Sequence, residues 1–182
     1  MVPGAGFAQD GFCVSTNQSG TISIFSTRPY SALYTATGFN GSYNQVGVTD
    51  TSIISNTIFF NNFNGNTEVH WFYFVFDTGL NSDTLSNILL TVDQANSNGI
   101  AILNWNKPFS ENFEPLDPTM GFRVFREFPS GIWTQINEVS FNETQYRDTI
   151  EICSDTINYR IDSLNRSIDG LEFCTSKSNI AG

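Results

Sequence analysis

Val69-His-Trp-Phe-Tyr-Phe-Val-Phe76 is a run of aromatic and β-branched residues that alternates with the period of a β-strand. The same period of two recurs at 21–25, 122–125 and 157–161, and clusters of Asn, Gly, Ser and Asp bound these runs. No stretch of about a dozen residues keeps apolar side chains at the helical spacing. Short strands with frequent turn signals predict an all-β fold of sandwiches rather than alternating strands and helices.

The composition limits the class of partner. Hydrophobic residues make up 40% of the 182 residues and aromatic residues 14%, enough to fill a sizeable core. The net charge is −10, with 18 acidic and 8 basic residues, which argues against a nucleic acid or an anionic membrane surface as partner. Because no run of about 18 apolar residues is present, we expect no membrane insertion.

The chain also contains an internal repeat of domain size. Three segments recur in order, 19–31 in 98–110, 32–46 in 121–136, and 69–87 in 157–179, the last pair ending in Ser-Asn in both copies. This repeat predicts two tandem immunoglobulin-like β-sandwiches, 9–91 and 92–182. The short polar segment 91–99 would join them with limited hinging. Residues 1–8, which end in small side chains, are expected to be a signal-peptide remnant or a disordered N-terminus.

The second unit shows the order of its strands clearly. We predict strands B, C, C′, E, F and G at 100–105, 121–126, 132–136, 144–148, 158–162 and 173–178. Trp105 on strand B and Tyr159 on strand F should point into one core from opposite sheets. This arrangement resembles a fibronectin type III domain, on Trp105, the Thr144-x-Tyr146-x-Asp148 segment, Tyr159-x-Ile161 and the closing Ser178-Asn179.

More narrowly, residues 92–182 resemble the divergent type III repeats of exported Bacteroidota surface proteins, which often precede a gliding-motility-associated or type IX secretion domain. The resemblance implies a secreted or cell-surface chain, with the periplasm as the alternative location. It also implies a non-catalytic module that spaces or presents other domains, or that binds other domains of the same or neighbouring surface proteins. The first unit shares the resemblance only through the internal repeat.

Motifs for catalysis or cofactor binding are absent from the sequence. There is no GxSxG, HExxH, P-loop or GxGxxG, and the one histidine, His70, lies in an aromatic strand without an acid or cysteine cluster. We therefore expect no enzyme activity and no cofactor. The three carboxylates of 111–117 could hold Ca²⁺ through oxygen ligands, but the DxDxDG spacing is missing, so a solvated loop is favoured.

Aromatic side chains give the alternative function, carbohydrate binding by ring stacking in an adhesin-type module. The preferred candidates are Trp133, expected on strand C′, and Tyr43, with Tyr30, Tyr34 and Phe128 as further candidates. Asp-Thr or Asp-Ser followed by an aliphatic residue occurs four times and looks like the O-glycosylation signal of exported Bacteroidota proteins. Thr84 and Thr149 are the preferred acceptor sites.

Three cysteines, Cys13, Cys153 and Cys174, allow one disulfide and fit no CxxC metal pattern. A bridge between Cys153 and Cys174 is geometrically possible, because strands F and G should be antiparallel neighbours. In the Bacteroidota repeats that this chain resembles, cysteines near these two places recur as an apparent pair. The resemblance therefore implies a Cys153–Cys174 disulfide, with Cys13 left unpaired or bonded to a preceding domain.

Overall fold

A computed structural model describes residues 12–26, 30–46, 51–54, 57–60, 62–76, 79, 82, 84–94, 99–109, 120–151, 156–166 and 172–182. Within these ranges the secondary structure is entirely β, and all pairings between strands are antiparallel. None of these segments forms a helix of the length and apolarity needed to cross a bilayer. The predicted all-β class is therefore confirmed. The acidic segment 111–117, expected to be a solvated loop rather than a Ca²⁺ site, and the N-terminal residues 1–8 lie outside the described residues.

The first half of the chain forms two four-stranded sheets. Their strands are β1 (Phe12–Thr16), β2 (Ile22–Ser26), β3 (Tyr30–Ala36), β4 (Asn44–Gln45), β5 (Thr51–Ile54), β6 (Thr57–Phe60), β7 (Trp71–Phe76) and β8 (Leu85–Ser86). The sheet orders are β1-β2-β6-β5 and β4-β3-β7-β8. These orders correspond to A-B-E-D and C′-C-F-G of an immunoglobulin-like sandwich.

The second half repeats this plan with one strand fewer among the described residues. Its strands are β9 (Leu90–Gln94), β10 (Ile100–Trp105), β11 (Gly121–Glu127), β12 (Trp133–Ser140), β13 (Gln145–Thr149), β14 (Asn158–Arg166) and β15 (Glu172–Lys177). The sheet orders are β13-β10-β9 and β12-β11-β14-β15. The six strands predicted here agree with β10 to β15 in order, and their ends differ by a few residues.

Each pair of sheets encloses a hydrophobic core. In the second sandwich, Trp105 and Leu103 come from one sheet, and Phe122 and Tyr159 come from the other. Trp105 is 5% exposed and Tyr159 is 1% exposed. The prediction that both rings enter one core from opposite sheets is therefore confirmed. The first core brings Ile22 and Ile24 of β2 against Phe72 and Phe74 of β7 in the same way. This core also includes three side chains from the second half of the chain, Phe109, Met120 and Phe141.

The repeated Ser-Asn pair marks equivalent buried positions at the end of each sandwich. Asn87 follows β8 and Asn179 follows β15, and both side chains are buried. The Asn87 amide accepts a hydrogen bond from His70 N–H (2.7 Å) and donates one to the Glu68 carbonyl (2.9 Å). The Asn179 amide accepts from Leu90 N–H (2.7 Å) and donates to the Leu90 carbonyl (3.0 Å). Each asparagine side chain thus bonds backbone N–H and C=O groups in the place of a neighbouring strand.

The segment 86–90 connects the two sandwiches and is almost entirely buried. The Asn106 side chain accepts from Leu89 N–H (2.7 Å) and donates to Ser86 Oγ and to the Asn87 carbonyl, both at 3.1 Å. Strand β9 lies across the division expected between residues 91 and 92 and pairs with β10. That division of the chain stays a prediction, and residues 91–94 of the polar segment 91–99 belong to β9.

Candidate binding surface

Five aromatic rings gather on the outer face of one sheet of the first sandwich. We call this group the Tyr73 cluster: Tyr34, Phe39, Tyr43, Trp71 and Tyr73. Phe72 and Phe74 of β7 are fully buried in the core. Because successive residues of a strand point to opposite faces, the alternating residues of β7 point away from that core.

Strand register brings the members of the Tyr73 cluster together. Tyr34 of β3 lies directly opposite Tyr73 of β7. Their rings are stacked with centroids 4.9 Å apart and an interplanar angle of 5°. Tyr43 meets Tyr73 edge-on at 5.1 Å, and Phe39 meets Trp71 edge-on at 5.2 Å. All five side chains are half-buried, and the Phe39–Trp71 pair lies on the same face as the three tyrosines because Trp71 and Tyr73 are two positions apart on β7.

Hydroxyl groups and the loop between β3 and β4 complete this surface. The loop closes through a hydrogen bond from Gly41 N–H to the Gly38 carbonyl (2.9 Å). The Tyr43 hydroxyl donates to the Phe39 carbonyl at 3.1 Å. Burial raises the pKa of Tyr43, the neighbouring Tyr73 phenol raises it further, and a hydrogen bond with Thr84 opposes both effects. Burial followed by the proximity of Tyr34 raises the pKa of Tyr73. The phenols of Tyr43 and Tyr73 therefore stay neutral at physiological pH.

The charge pattern of the sequence restricts what this surface can bind. Between Arg28 and Lys107 the chain contains no Lys or Arg, whereas Asp50, Glu68, Asp77, Asp83 and Asp93 fall in that interval. Recognition of phosphate, sulfate or carboxylate groups normally uses Arg or Lys. The local sequence therefore favours a neutral or basic partner.

Trp133, the other preferred stacking residue, lies on β12 in the second sandwich and not beside Tyr43. The Arg160 guanidinium lies over the Trp133 ring at 4.9 Å and over the Phe125 ring at 4.7 Å. Arg160 also binds the Asp162 carboxylate through two N–H···O contacts of 2.7 and 3.1 Å. The cation therefore occupies one face of the Trp133 ring, and stacking of a sugar on Trp133 stays a prediction for the other face.

Asp162 forms the centre of this second surface. Its side chain is 7% exposed, and Arg123 and Lys177 lie opposite it on the two neighbouring strands. Burial raises the pKa of Asp162, and the hydrogen bonds of Arg160 together with the positive charges of Arg160, Lys177 and Arg123 offset only part of this rise. Sequence reasoning missed this cluster, although residues 160 and 162, two positions apart on one strand, necessarily share a face.

His70 is buried and lies just before β7. Its ring stacks on Phe63 with centroids 4.2 Å apart, and its Nε2 is 3.0 Å from a Glu68 carboxylate oxygen. Among the described side chains, no group of three or more His, Cys, Asp or Glu is placed to hold a metal ion. His70 therefore contributes to packing at the end of the first core.

The remaining candidates are spread over the molecule. Tyr30 packs against the first core and Phe128 against the second. Thr84 is half-buried beside Tyr43, whereas Thr149 ends β13 and is exposed. O-glycosylation of these two threonines stays a prediction, and exposure favours Thr149.

Sequence reasoning named two members of the Tyr73 cluster, Tyr34 and Tyr43, and missed Phe39, Trp71 and Tyr73. The aromatic run 69–76 contained the signal for Trp71 and Tyr73, because these rings alternate with Phe72 and Phe74. A strand with large rings on both faces buries one set in the core and leaves the other set to be covered by a loop or a ligand. Phe39 comes from such a loop, and no period predicts its position.

The state of Cys13 differs from the expectation. Cys13 is disulfide-bonded and buried, so an unpaired thiol at Cys13 is wrong. The side chains of Cys153 and Cys174 lie outside the described residues. The chain has three cysteines, and each can form one disulfide. A bridge from Cys13 to Cys153 or to Cys174 would therefore use a cysteine of the expected Cys153–Cys174 pair, so the two bonds exclude each other.

No family model matches this chain, and neither does any curated protein. A solved structure titled as a cytokine receptor complex, crystal form 1A, aligns over 93% of this chain and 93% of that chain. The TM-score is 0.36 and the sequence identity is 10%. The class of the chain is defined by its own strand order, which is that of two immunoglobulin-like β-sandwiches in tandem.

Proposed function

We propose that this chain is a non-catalytic interaction module of an exported or cell-surface protein, and that it binds a protein partner through the Tyr73 cluster. The observation that carries the proposal is the packing of five half-buried rings on the outer face of one sheet. Tyr and Trp are enriched in protein interfaces because they supply large contact areas at low cost in conformational entropy. A neutral, phenol-rich surface without Lys or Arg suits a partner with a neutral or basic face.

The connection between the sandwiches supports a role in presentation. Side-chain amides hold 86–90 to both units: Asn87 bonds the backbone of Glu68 and His70 in the first unit, and Asn106 and Asn179 of the second unit accept from Leu89 N–H and Leu90 N–H. A connection held in this way keeps the Tyr73 cluster at a fixed orientation to the second sandwich. Such a module would display its binding face at a defined distance from neighbouring domains of the parent protein.

A binding screen with matched variants tests the proposal. The full chain is tested by biolayer interferometry against an array of purified secreted and cell-surface proteins. We expect binding to at least one member, and at least a tenfold loss of affinity in Tyr34→Ala and Tyr43→Ala. Thr134→Ala, an exposed position of β12 in the other sandwich, is the control and should retain full affinity. Affinity that survives both tyrosine substitutions would show that the binding face lies elsewhere.

Carbohydrate binding is the second candidate function, and a specific observation favours it. Three members of the Tyr73 cluster carry hydroxyls beside ring edges, and Thr84 adds a fourth hydroxyl. Neutral sugars are recognised by this combination of aromatic faces and neutral hydrogen-bonding groups. Trp71 lies within the cluster, so titration with a panel of neutral oligosaccharides should change tryptophan fluorescence if sugars bind there. An unchanged spectrum across the panel, with a positive protein screen, would reject this candidate.

We also propose an exported location and kinship with the Bacteroidota surface repeats. The abundance of Asn, Ser and Thr, the presence of only two lysines and a disulfide at Cys13 support export, since disulfides persist in oxidising compartments. The experiment is fractionation of the source cells, with detection of the chain outside the cytoplasm. Recovery only in the cytoplasmic fraction would contradict the proposal.

A further inference from the structure

Cys13 is buried on the face of β1 that points away from the first core. Cys13 and Val14 are 3% and 0% exposed. Adjacent residues of a strand point to opposite faces of the sheet, and Val14 belongs to the core of the first sandwich. Another element must therefore cover Cys13 on the opposite face.

Strand β15, the last strand of the chain, lies along this part of β1. Val14 N–H donates to Ser176 Oγ at 3.1 Å. Ser15 Oγ donates to the Thr175 carbonyl at 3.4 Å and accepts from Lys177 N–H at 3.2 Å. These bonds connect residues about 160 positions apart in the sequence. The first and last strands are therefore direct neighbours.

We propose that the disulfide partner of Cys13 is Cys174, so that the first strand of the first sandwich is bonded covalently to the last strand of the second. Cys174 belongs to β15 and pairs with Asn165 in the sheet. Strand alternation places residue 174 on the same face as Ser176, and places Cys13 on the same face as Ser15. Ser15 and Ser176 make side-chain contacts between β1 and β15, and positions 13 and 174 each lie two residues before one of these serines on the same strand.

The geometry of neighbouring strands suits this bond. A disulfide joins residues whose Cα atoms usually lie about 4.4–6.8 Å apart, and β1 and β15 lie close enough for side chains of each strand to bond the backbone of the other. Formation of the bond removes two protons and two electrons from the two thiols, and a disulfide such as oxidised glutathione accepts them as it is reduced to two thiols. Cys153 then keeps its thiol. The inference is independent of the proposed binding function, because no member of the Tyr73 cluster takes part in it.

Counting free thiols in single variants tests the pairing. Each unreduced protein is denatured and titrated with a thiol reagent. The wild type should give one free thiol, Cys153→Ser none, and Cys13→Ser and Cys174→Ser two each. A Cys13–Cys153 bridge would instead give none in Cys174→Ser, and a Cys153–Cys174 bridge would give none in Cys13→Ser. Three free thiols in the wild type would also overturn the proposal.

Peptide mapping gives an independent readout. Trypsin cleavage after Arg147, Arg160, Arg166 and Lys177 separates the three cysteines into different peptides. Mass spectrometry of the unreduced, alkylated digest should find the Cys13 peptide joined to 167–177, with 148–160 alkylated. A joined pair that includes 148–160 would refute the assignment. In addition, Cys13→Ser and Cys174→Ser should lower the melting temperature equally, whereas Cys153→Ser should leave it unchanged.

Discussion

At the residue scale, one buried polar group connects the two sheets of the second sandwich. The Asp148 carboxylate on β13 accepts a hydrogen bond from the Tyr159 hydroxyl on β14 at 2.8 Å. Arg126 of β11 donates to the same carboxylate oxygen at 3.0 Å. Burial, followed by the hydrogen bond and the negative charge of Asp148, raises the pKa of Tyr159 well above its ordinary value. The phenol is therefore held as a neutral donor.

Tyr159→Phe should destabilise the chain and reduce its sensitivity to alkali. Loss of a hydrogen bond to a charged group lowers the free energy of unfolding by about 1.5–3 kcal/mol at neutral pH. An unfolded tyrosine releases its proton near pH ~10, and the folded state retains the proton to higher pH, so wild-type stability falls as the pH rises above that value. Urea unfolding at pH 8 and 10.5 should show that the free energy of unfolding falls less between these two pH values in Tyr159→Phe than in the wild type. An equal loss in both proteins would contradict this linkage.

Trp105 combines a large packing contribution with an unsatisfied polar group. Its ring meets Phe122 edge-on at 5.7 Å in the second core. Its indole Nε1–H is buried and has no hydrogen-bond partner among the described residues. Such an unpaired donor costs about 1–3 kcal/mol, so part of the gain from burying the ring is offset.

Trp105→Ala should therefore unfold the second sandwich, whereas Trp105→Phe should be tolerated. Removal of a buried aromatic ring typically costs about 3–5 kcal/mol, which is much of the stability of a small domain. Phenylalanine leaves a smaller cavity and also removes the unpaired N–H. Circular dichroism with thermal melting measures both variants. A native-like melting curve for Trp105→Ala would contradict the role of this ring in the core.

At the scale of elements, the Ser-Asn pairs show how far the sequence predicts structure. The period-two runs place the strands because alternation directly reports which face is buried. The internal repeat matches Asn87 with Asn179, and both amides bond the backbone where a strand begins, at His70 before β7 and at Leu90 of β9. Their chemical role was not predictable, because a sequence match does not identify which backbone groups lack a partner. Strand alternation also predicts that Cys13 and Val14 face opposite ways, but not that β15 covers Cys13.

Asn87→Ala should destabilise the first sandwich at its junction with 86–90. The substitution leaves the buried His70 N–H without its partner, at about 1–3 kcal/mol, and also removes the part-buried bond to the Glu68 carbonyl. Asn104→Ala is the matched control, since Asn104 lies on the outer face of β10 and its amide bonds Asp93 at the surface. Chemical denaturation should give a clearly lower free energy of unfolding for Asn87→Ala than for Asn104→Ala. Equal stability of both would show that the Asn87 bonds contribute nothing.

At the scale of the whole molecule, the two sandwiches share apolar packing. Phe109 and Phe141 belong to the second half of the sequence, yet they pack in the first core. Phe141 also stacks over Phe122 of the second core, with centroids 6.3 Å apart. This ring therefore connects the two cores, an arrangement that local sequence patterns do not predict because the contact joins distant parts of the chain.

Phe141→Ala should lower the stability of both sandwiches together. Loss of this buried ring is expected to cost about 3–5 kcal/mol, distributed over both cores because the ring contacts each of them. Tryptophan fluorescence in a Trp105→Phe/Trp133→Phe background reports Trp71 of the first sandwich, and fluorescence in a Trp71→Phe background reports Trp105 and Trp133 of the second. Both signals should shift to lower melting temperature by a similar amount. A shift of the second signal alone would show that the sandwiches unfold independently.

The contact between β1 and β15 has a mechanical consequence. Tension applied between residue 12 and residue 177 acts first on the side-chain hydrogen bonds that join these two strands. With Cys13 bonded to Cys174, the load passes through a covalent bond, and the chain between the two cysteines carries none of it. Both hydrophobic cores, and the Tyr73 cluster with them, would then remain folded while the ends of the chain are under strain.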